Sequence, residues 1–328
     1  MFRLSRTGLG AALAVALAAA PTVRASEPDK LLPKETDTVI AFNLRQIIDS
    51  DIIKKYALEQ INQALQGNDS KKFLSELGLD PLKDVDRVVV SGSGKDQTDM
   101  KLLIIIHGKF DPEKLYKAAS VQTKRDGDHF SLVADGQDKM FKYQPDTGTP
   151  FYGTVVDEGT VILANDKKSI STALAAAASD KKPAISRDLA TLLARMDDKA
   201  SLWMASVVKG KLDGVNIPNS PGVSPNLKAQ LPKLDFVTAV IRVTTDVSLD
   251  ISLGMADSEA AAAMGQEVDE LLQTLRGIIP FVTAQNPQMK PLADVVKTIK
   301  SNVKEKSVVV SAKLTGKAIG QMVKPAGD

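Results

Sequence analysis

The chain has no cysteine and few aromatic residues, and both absences exclude particular kinds of chemistry. Without cysteine there is no disulfide bond, no thiol nucleophile and no thiolate-bound zinc or iron–sulfur centre. The cysteine that would carry the lipid of a bacterial lipoprotein is missing as well. Aromatic residues make up 4% of the chain, and Trp203 is its single tryptophan. Such a composition disfavours stacking surfaces for nucleobases or sugars.

An excess of charge of one sign is also missing once the N-terminus is set apart. The chain has 42 basic and 40 acidic side chains. Three of the basic ones, Arg3, Arg6 and Arg24, lie in the first 25 residues, which contain no acid. Removing these three leaves 39 basic against 40 acidic side chains, a formal charge of −1. A near-neutral protein has no electrostatic basis for binding nucleic acid or anionic lipid, so we predict no nucleic-acid partner.

The first 25 residues have the pattern of an export signal. Arg3 and Arg6 precede an uncharged apolar run over 8–20, and Val23 and Ala25 stand three and one positions before a cleavage site. The run of about 13 residues is shorter than the roughly 20 that span a bilayer. We therefore predict a signal peptide over 1–25, cleavage near Ala25, and release into the periplasm or beyond, with no transmembrane segment in the mature chain. Residues 26–37 are predicted to form a leader with little to bury.

Short apolar segments of strand length then alternate with amphipathic helices. Val247–Met255 alternates apolar and polar residues, which predicts a strand with one buried and one wet face. Asp111 and Asp257 are predicted to cap helices. Further predicted strands cover 39–44, 88–90, 102–106, 202–208, 236–244 and 308–310, and four more lie between 130 and 164.

The boundary predicted at Asp180–Pro183 divides the chain into two α+β units, 38–180 and 184–328. Each unit has a strand that leads into helices, a pair of strands, an Asp-capped helix, and a closing strand with a short helix. Matching features lie roughly 145 residues apart, as in a tandem repeat of one supersecondary unit. We predict two similar units, each a largely antiparallel sheet covered by helices, related by internal duplication. A chance succession of elements is the alternative.

Three helical features complete the predicted architecture. Ile53, Ala57, Ile61 and Leu65 form a stripe at a spacing of four, which predicts one helix that ends at Gly67. Pro280 is predicted to close the long helix that Asp257 opens. The apolar stripe of that long helix is predicted to face the core, with a partner-facing surface as the alternative.

Three short motifs resemble catalytic signatures but lack their context. Ser91–Lys95 is rich in glycine, yet Val89 stands where a phosphate loop needs its first glycine and Asp96 where it needs Ser or Thr. We predict a hairpin turn there. Ser206–Lys209 and Ser301–Lys304 have the Ser-x-x-Lys spacing of penicillin-recognising enzymes, in which the serine begins a helix. The first continues a predicted strand, and we interpret both as chance matches.

His107 and His129 are the only histidines of the chain. His107 ends a predicted strand and His129 follows the predicted turn Asp126–Asp128, so both are predicted to have structural roles. A zinc site would require both histidines with carboxylates. Asp84–Asp86 and Asp126–Asp128 approach calcium-ligand spacing without the twelve-residue loop, and Asp197–Asp198 is predicted to connect a helix to a strand. No catalytic, cofactor-binding or metal-binding residue is predicted.

The chain resembles exported bacterial proteins that carry domains of unknown function. The residues that carry the resemblance are Leu31–Pro33 before the first strand, Leu77–Leu82 before an Asp-Arg-Val strand, and the strand Val247–Met255 running into an alanine-rich helix. The resemblance covers most of the mature chain and implies no catalytic residue.

These observations predict an exported, soluble, non-catalytic protein that acts by binding or scaffolding. Its partner would be an envelope protein or a small ligand, and no cofactor is expected. Two alternatives remain open. One is a hydrolase of unfamiliar type that uses His107 or His129 with carboxylates, in a concave pocket. The other is a carrier of lipid or another small ligand, which requires an apolar cavity of several hundred Å³ between sheet and helices.

Overall fold

A computed structural model describes residues 27–66, 79–94, 99–135, 138–213, 224–285 and 290–323. The predicted signal peptide lies outside the described residues. The helices within these ranges are α1 (Leu44–Asp49), α2 (Asp51–Tyr56), α3 (Leu58–Leu65), α4 (Pro81–Asp84), α5 (Pro112–Arg125), α6 (Lys167–Ala177), α7 (Arg187–Leu193), α8 (Pro225–Gln230), α9 (Ser258–Gln285), α10 (Lys290–Thr298) and α11 (Gly316–Val323). None of these helices has both the length and the apolar character of a membrane span.

The strands form one antiparallel sheet with the order β11–β12–β10–β9–β8–β1–β2–β3–β7–β6–β5–β4. Their bounds are β1 (Thr38–Phe42), β2 (Val85–Ser93), β3 (Lys101–Gly108), β4 (Phe130–Asp135), β5 (Asp138–Tyr143), β6 (Phe151–Asp157), β7 (Thr160–Ala164), β8 (Leu202–Val207), β9 (Leu234–Val243), β10 (Asp246–Met255), β11 (Lys300–Lys304) and β12 (Ser307–Thr315). The predicted α+β class with antiparallel pairing is confirmed.

Strands β1 and β8 join the two halves of the sheet. Their register runs from the pair of Thr38 with Ser206 to the pair of Phe42 with Leu202. The hydroxyl oxygens of Thr38 and Ser206 lie 2.6 Å apart across this junction. Outward from it, the order is β1–β2–β3–β7–β6 on one side and β8–β9–β10–β12–β11 on the other. The two predicted sheets are therefore one continuous sheet.

One face of the sheet, which we call the core face, carries the main hydrophobic core. Val39, Ile105 and Trp203 point to this face and are almost fully buried. They belong to one cluster with Ile170 of α6 and Leu193 of α7. Both halves of the chain therefore contribute to a single core, and burial of these large apolar side chains is its main stabilising term.

The predicted leader is part of this core, so the expectation that it has little to bury was wrong. Leu31 and Leu32 are 2% and 4% exposed, respectively, and join the cluster on the core face. The Leu31 N–H donates to Asp29 Oδ1 at 3.0 Å, which fixes the turn that presents the two leucines. Two adjacent leucines in a turn have no helical or strand periodicity, and the sequence gives no sign of their burial.

The opposite face, which we call the helix face, carries α5 over one half and α9 over the other. Ile106 and Leu163 point toward α5. Leu253 and Val308 lie in the cluster that packs under α9. The predicted burial of one face of β10 is incomplete, since Val247, Leu249 and Ile251 remain partly exposed.

Two predicted boundaries differ from the structure, and one strand was not predicted. The stripe that begins at Ile53 belongs to α2 and α3, which are separated at Ala57. Pro280 lies inside α9 instead of ending it; at this exposed position, water can satisfy the Arg276 carbonyl that the proline leaves without a backbone donor. Strand β11 has lysines at both ends and few apolar residues, so its sequence did not predict a strand.

Candidate functional site

A pocket of about 300 Å³ lies on the helix face between α5 and the sheet. Most of the described residues that line it are apolar, and Gln122 is the exception. The lining consists of Leu79, Val85, Ile106, Phe110, Leu115, Ala118, Ala119, Gln122, Phe130, Phe141, Val161 and Leu163. Its size and lining are those of a small-molecule site.

Helix α5 forms the roof of the pocket, and its local sequence fixes its position. Asp111 caps the helix, since its Oδ1 accepts the Lys114 N–H at 3.1 Å, and Pro112 occupies the first turn. Ala118 and Ala119 are buried on the side that faces the sheet. Their small side chains leave open the space that longer side chains would fill.

Three phenylalanines form much of the wall, although the chain has only nine. Phe130 of β4 and Phe141 of β5 lie with ring centroids 6.1 Å apart and with planes at 16°. Gly153 of β6 lies opposite Phe141, and a Cβ atom there would collide with its ring and with the Leu163 side chain. The glycine therefore allows the Phe141 ring to lie flat against β6.

The corresponding space under α9 is filled. Asp257 caps α9 as Asp111 caps α5, with Oδ1 accepting the Ala260 N–H at 2.7 Å. The seventh residue after each capping aspartate is Ala118 in α5 and Met264 in α9. Met264 is 2% exposed and packs in the cluster beneath α9. The same helix-on-sheet arrangement is thus closed in one half and open in the other.

His107 lies on the core face and pairs with the predicted leader. Its Nε2 is 2.6 Å from Asp29 Oδ2. Burial raises the pKa of Asp29, but the hydrogen bonds from His107 and from the Leu31 N–H, with the nearby charges of His107 and Arg87, outweigh that effect and hold the pKa below its usual value. His107 thus ties the turn before β1 to the end of β3.

His129 is held between two carboxylates at the start of β4. Its Nδ1 lies 2.8 Å from Asp126 Oδ1, and its Nε2 lies 2.8 Å from Asp146 Oδ1. The hydrogen bonds to Asp126 and to Asp146 raise the pKa of His129 to about 9. At neutral pH the ring is therefore a cation that donates from both nitrogens, and it has no lone pair with which to accept a proton.

Neither histidine lines the pocket under α5. Both contact carboxylates, as a hydrolase would require, but they lie apart from the concave apolar site. Within the described ranges, no group of three or more His, Asp or Glu side chains is arranged to hold a metal ion.

The other motifs form structural contacts. Ser91 lies on β2, where its Oγ is 2.8 Å from Thr36 Oγ1, and β2 and β3 form the predicted hairpin, of which residues 95–98 lie outside the described chain. Ser206 lies on β8 and Ser301 on β11. Neither serine begins a helix.

The paired aspartates of the sequence also have structural contacts. Asp197 Oδ2 accepts a hydrogen bond from Arg242 Nη2 at 3.2 Å, and Asp86 Oδ1 accepts one from Arg45 Nε at 3.2 Å. Asp126 follows α5 as its C-cap and contacts His129.

Comparison of the chain with family models, curated proteins and solved structures found no match. The fold and the site therefore define the class on their own. The class is an α+β protein whose described residues form a twelve-stranded antiparallel sheet, with an apolar pocket beneath one of the helices that cover it.

Proposed function

We propose that the protein is an exported, non-catalytic binding protein that carries a small apolar or amphiphilic ligand in the pocket beneath α5. The observation that carries this proposal is the lining of that pocket, with eleven apolar side chains and Gln122 around about 300 Å³. Apolar walls with a single polar group favour ligand binding over catalysis, because none of the described residues that line the pocket is an acid, a base or a nucleophile.

The comparison between α5 and α9 supports a role for this space. An unfilled apolar cavity lowers stability roughly in proportion to its volume. Met264 fills the space in one half, and Ala118 leaves it open in the other. One longer side chain at position 118 would close the pocket. The open pocket therefore lowers the stability of the free protein, and a bound ligand would offset that loss.

The dimensions of the pocket limit the ligand. The volume of about 300 Å³ is roughly twice that of an engineered cavity that binds benzene. A ligand of up to three aromatic rings, or a short alkyl chain, would fit. Gln122 at the wall would hydrogen-bond a single polar group on such a ligand. The hydrolase alternative receives less support, because His129 is held as a cation and His107 faces the opposite side of the sheet.

The apolar fluorophore N-phenyl-1-naphthylamine tests the pocket directly. The wild-type protein is expected to bind it at one site with enhanced fluorescence. Ala118→Met introduces the side chain that α9 has at the matching position and should weaken binding about tenfold, which corresponds to about 1.4 kcal/mol. Ala262→Met, at an exposed position of α9, is the matched control and should leave the affinity unchanged.

Two outcomes would contradict the proposal. One is the absence of saturable binding by the wild-type protein. The other is equal binding by the Ala118→Met protein, when its far-UV circular dichroism shows that it has folded. Either result would show that the space under α5 is not a ligand site.

Export is proposed from the signal pattern over 1–25 and from the resemblance to exported bacterial proteins. Determination of the N-terminus of the protein purified from its own cells is the direct test. A chain that begins near Ser26 in the envelope fraction is expected. Intact Met1 in the cytoplasmic fraction would refute export.

We also propose that units 38–180 and 184–328 arose by duplication. The support comes from matching registers. Ile104 pairs with Val90 and Leu163, and Ile251 pairs with Ala239 and Val310. From the residue numbers, corresponding members of the two sets lie 147 to 149 positions apart. A crystal structure in which β1–β2–β3–β7 did not superpose on β8–β9–β10–β12 would overturn this proposal.

A further inference from the structure

A second and larger pocket, which we call the lysine pocket, opens on the core side of the molecule. Its volume is about 540 Å³. It lies between the turn 30–35, the facing ends of β2 and β3, helix α6, and the connection 179–184 between the two units. None of the described residues around it belongs to the pocket under α5, so the two sites are separate.

The floor of the lysine pocket is apolar. Leu31, Leu32 and Leu103 line it, and the exposed side of α6 contributes Ala175 and Ala176. The lining contains no aromatic side chain among the described residues, so nothing there would stack on a nucleobase or a sugar. The floor is suited to an aliphatic chain.

The rim of the pocket is cationic. Six lysines border it, against two acids, Asp166 and Glu35, in a chain whose basic and acidic residues are nearly equal in number. Asp166 caps α6 by accepting the Ser169 N–H at 2.9 Å, and Glu35 lies 3.7 Å from Lys34. The lysines of the rim are Lys30, Lys34, Lys101, Lys168, Lys181 and Lys182.

Four of these lysines have no anionic partner in the described part of the chain. No described carboxylate lies within ion-pair distance of Lys101, Lys168, Lys181 or Lys182, whereas Lys30 donates to the Ala177 carbonyl. A cluster of unneutralised ammonium groups around an apolar surface is electrostatically unfavourable until an anion joins it.

We propose that the lysine pocket binds an anionic amphiphile, a molecule with an aliphatic chain and a carboxylate, sulfate or phosphate head. The chain would lie on the floor formed by the leucines and α6, and the head would lie among the ammonium groups of the rim. The chain's own first 26 residues do not fit this role, because they carry three arginines and no acid.

Titration calorimetry with decanoate, at low ionic strength, tests the proposal. The titration is done on the Ala118→Met protein, in which binding in the pocket under α5 is weakened about tenfold, so that this pocket contributes less to the signal. Decanoate is expected to bind at one site, and decyltrimethylammonium, which has a chain one methylene longer and the opposite charge, should bind at least about tenfold more weakly. Decanoate affinity should fall as salt rises.

Paired lysine variants locate the site. Lys168→Gln with Lys182→Gln should weaken decanoate binding about tenfold, since each exposed ion pair contributes a few-fold. Lys300→Gln with Lys304→Gln on β11 removes the same charge elsewhere and should change the affinity less than twofold. Lys101→Gln with Lys181→Gln provides a second rim pair, should the first variant fail to fold.

Several results would overturn the proposal. Equal affinity for decanoate and decyltrimethylammonium, or unchanged decanoate binding in both rim variants, would remove the role of the lysines. Competition by inorganic phosphate as strong as by decanoate would show a site for the head alone. Binding to phosphatidylglycerol vesicles without binding of free decanoate would indicate a lipid surface as the partner. Wild-type binding of N-phenyl-1-naphthylamine is independent of all these results, so failure here leaves the site under α5 untouched.

Discussion

His129 is the residue whose protonation has the clearest structural consequence. Its ring joins the turn after α5, through Asp126, to the loop between β5 and β6, through Asp146. The carboxylates on both nitrogens raise the pKa of His129 to about 9, from an unfolded value of 6.5. Folding is therefore coupled to the binding of a proton by this residue.

The stabilisation that comes from His129 should depend on pH in a defined window. Below pH 6.5 the ring is protonated in both the folded and the unfolded chain, and the contribution is complete. Between 6.5 and about 9 only the unfolded chain loses its proton, so the contribution declines and is absent above that range. The Tm of the wild-type protein should exceed that of His129→Gln at pH 6, and the difference should vanish toward pH 10.

Nuclear magnetic resonance gives an independent measure of this pKa. With only two histidines, the His107→Gln variant assigns both imidazole signals. A midpoint near 9 is expected for His129. A midpoint near 6.5 would show that the two carboxylates do not hold the ring in solution.

At the scale of elements, local capping chemistry is readable from the sequence. Asp111 and Asp257 were predicted to cap helices, and each accepts a backbone N–H of the first turn. A cap depends on residues three or four positions apart, so the sequence contains the whole of it.

Features that depend on distant contacts were not predictable. Leu31 and Leu32 are buried by α6 and β3, which lie far away in the chain, and no local sequence pattern indicates this burial. The pocket lies beneath α5 where the helix has Ala118, whereas Met264 fills the matching position of α9. A small residue in a helix does not show, from the sequence alone, whether a neighbouring side chain fills the space beside it. The carrier alternative requires an apolar cavity between sheet and helices, and the sequence alone could not indicate where in the fold such a cavity would lie.

Two glycine substitutions should have effects of opposite sign. Gly153→Ala places a methyl group against Phe141 and Leu163, and should lower the free energy of unfolding by about 1–3 kcal/mol. Gly277→Ala lies in α9, where the new methyl group meets no atom within 4 Å outside its own stretch of helix, and it should raise the free energy of unfolding by about 1 kcal/mol. Urea unfolding followed by circular dichroism measures both changes.

The glycine pair also reports on the ligand site. Displacement of the Phe141 ring should weaken binding of N-phenyl-1-naphthylamine to the Gly153→Ala protein, whereas the Gly277→Ala protein should bind as the wild type does. Equal stability of both variants would mean that the wall at β6 adjusts freely around an added methyl group.

At the scale of the whole molecule, the two halves share one sheet and one core. Val39 and Ile105 from the first half pack in the same cluster as Leu189 and Trp203 from the second. We expect a single cooperative unfolding transition, with coincident curves from the fluorescence of Trp203 and from circular dichroism. A fragment that begins at residue 184 lacks β1 and should show no cooperative transition. Two separate transitions of the full chain would contradict this expectation.

The pairing of β1 with β8 also limits when the centre of the sheet can form. Thr38 and Ser206, which meet there, are 168 positions apart in the chain. At a synthesis rate of roughly 5–20 residues per second, β1 waits on the order of ten to thirty seconds before its partner strand is made. The junction at the centre of the sheet therefore cannot close until β8 has been made, and until then the edge of β1 that β8 covers has no strand to pair with.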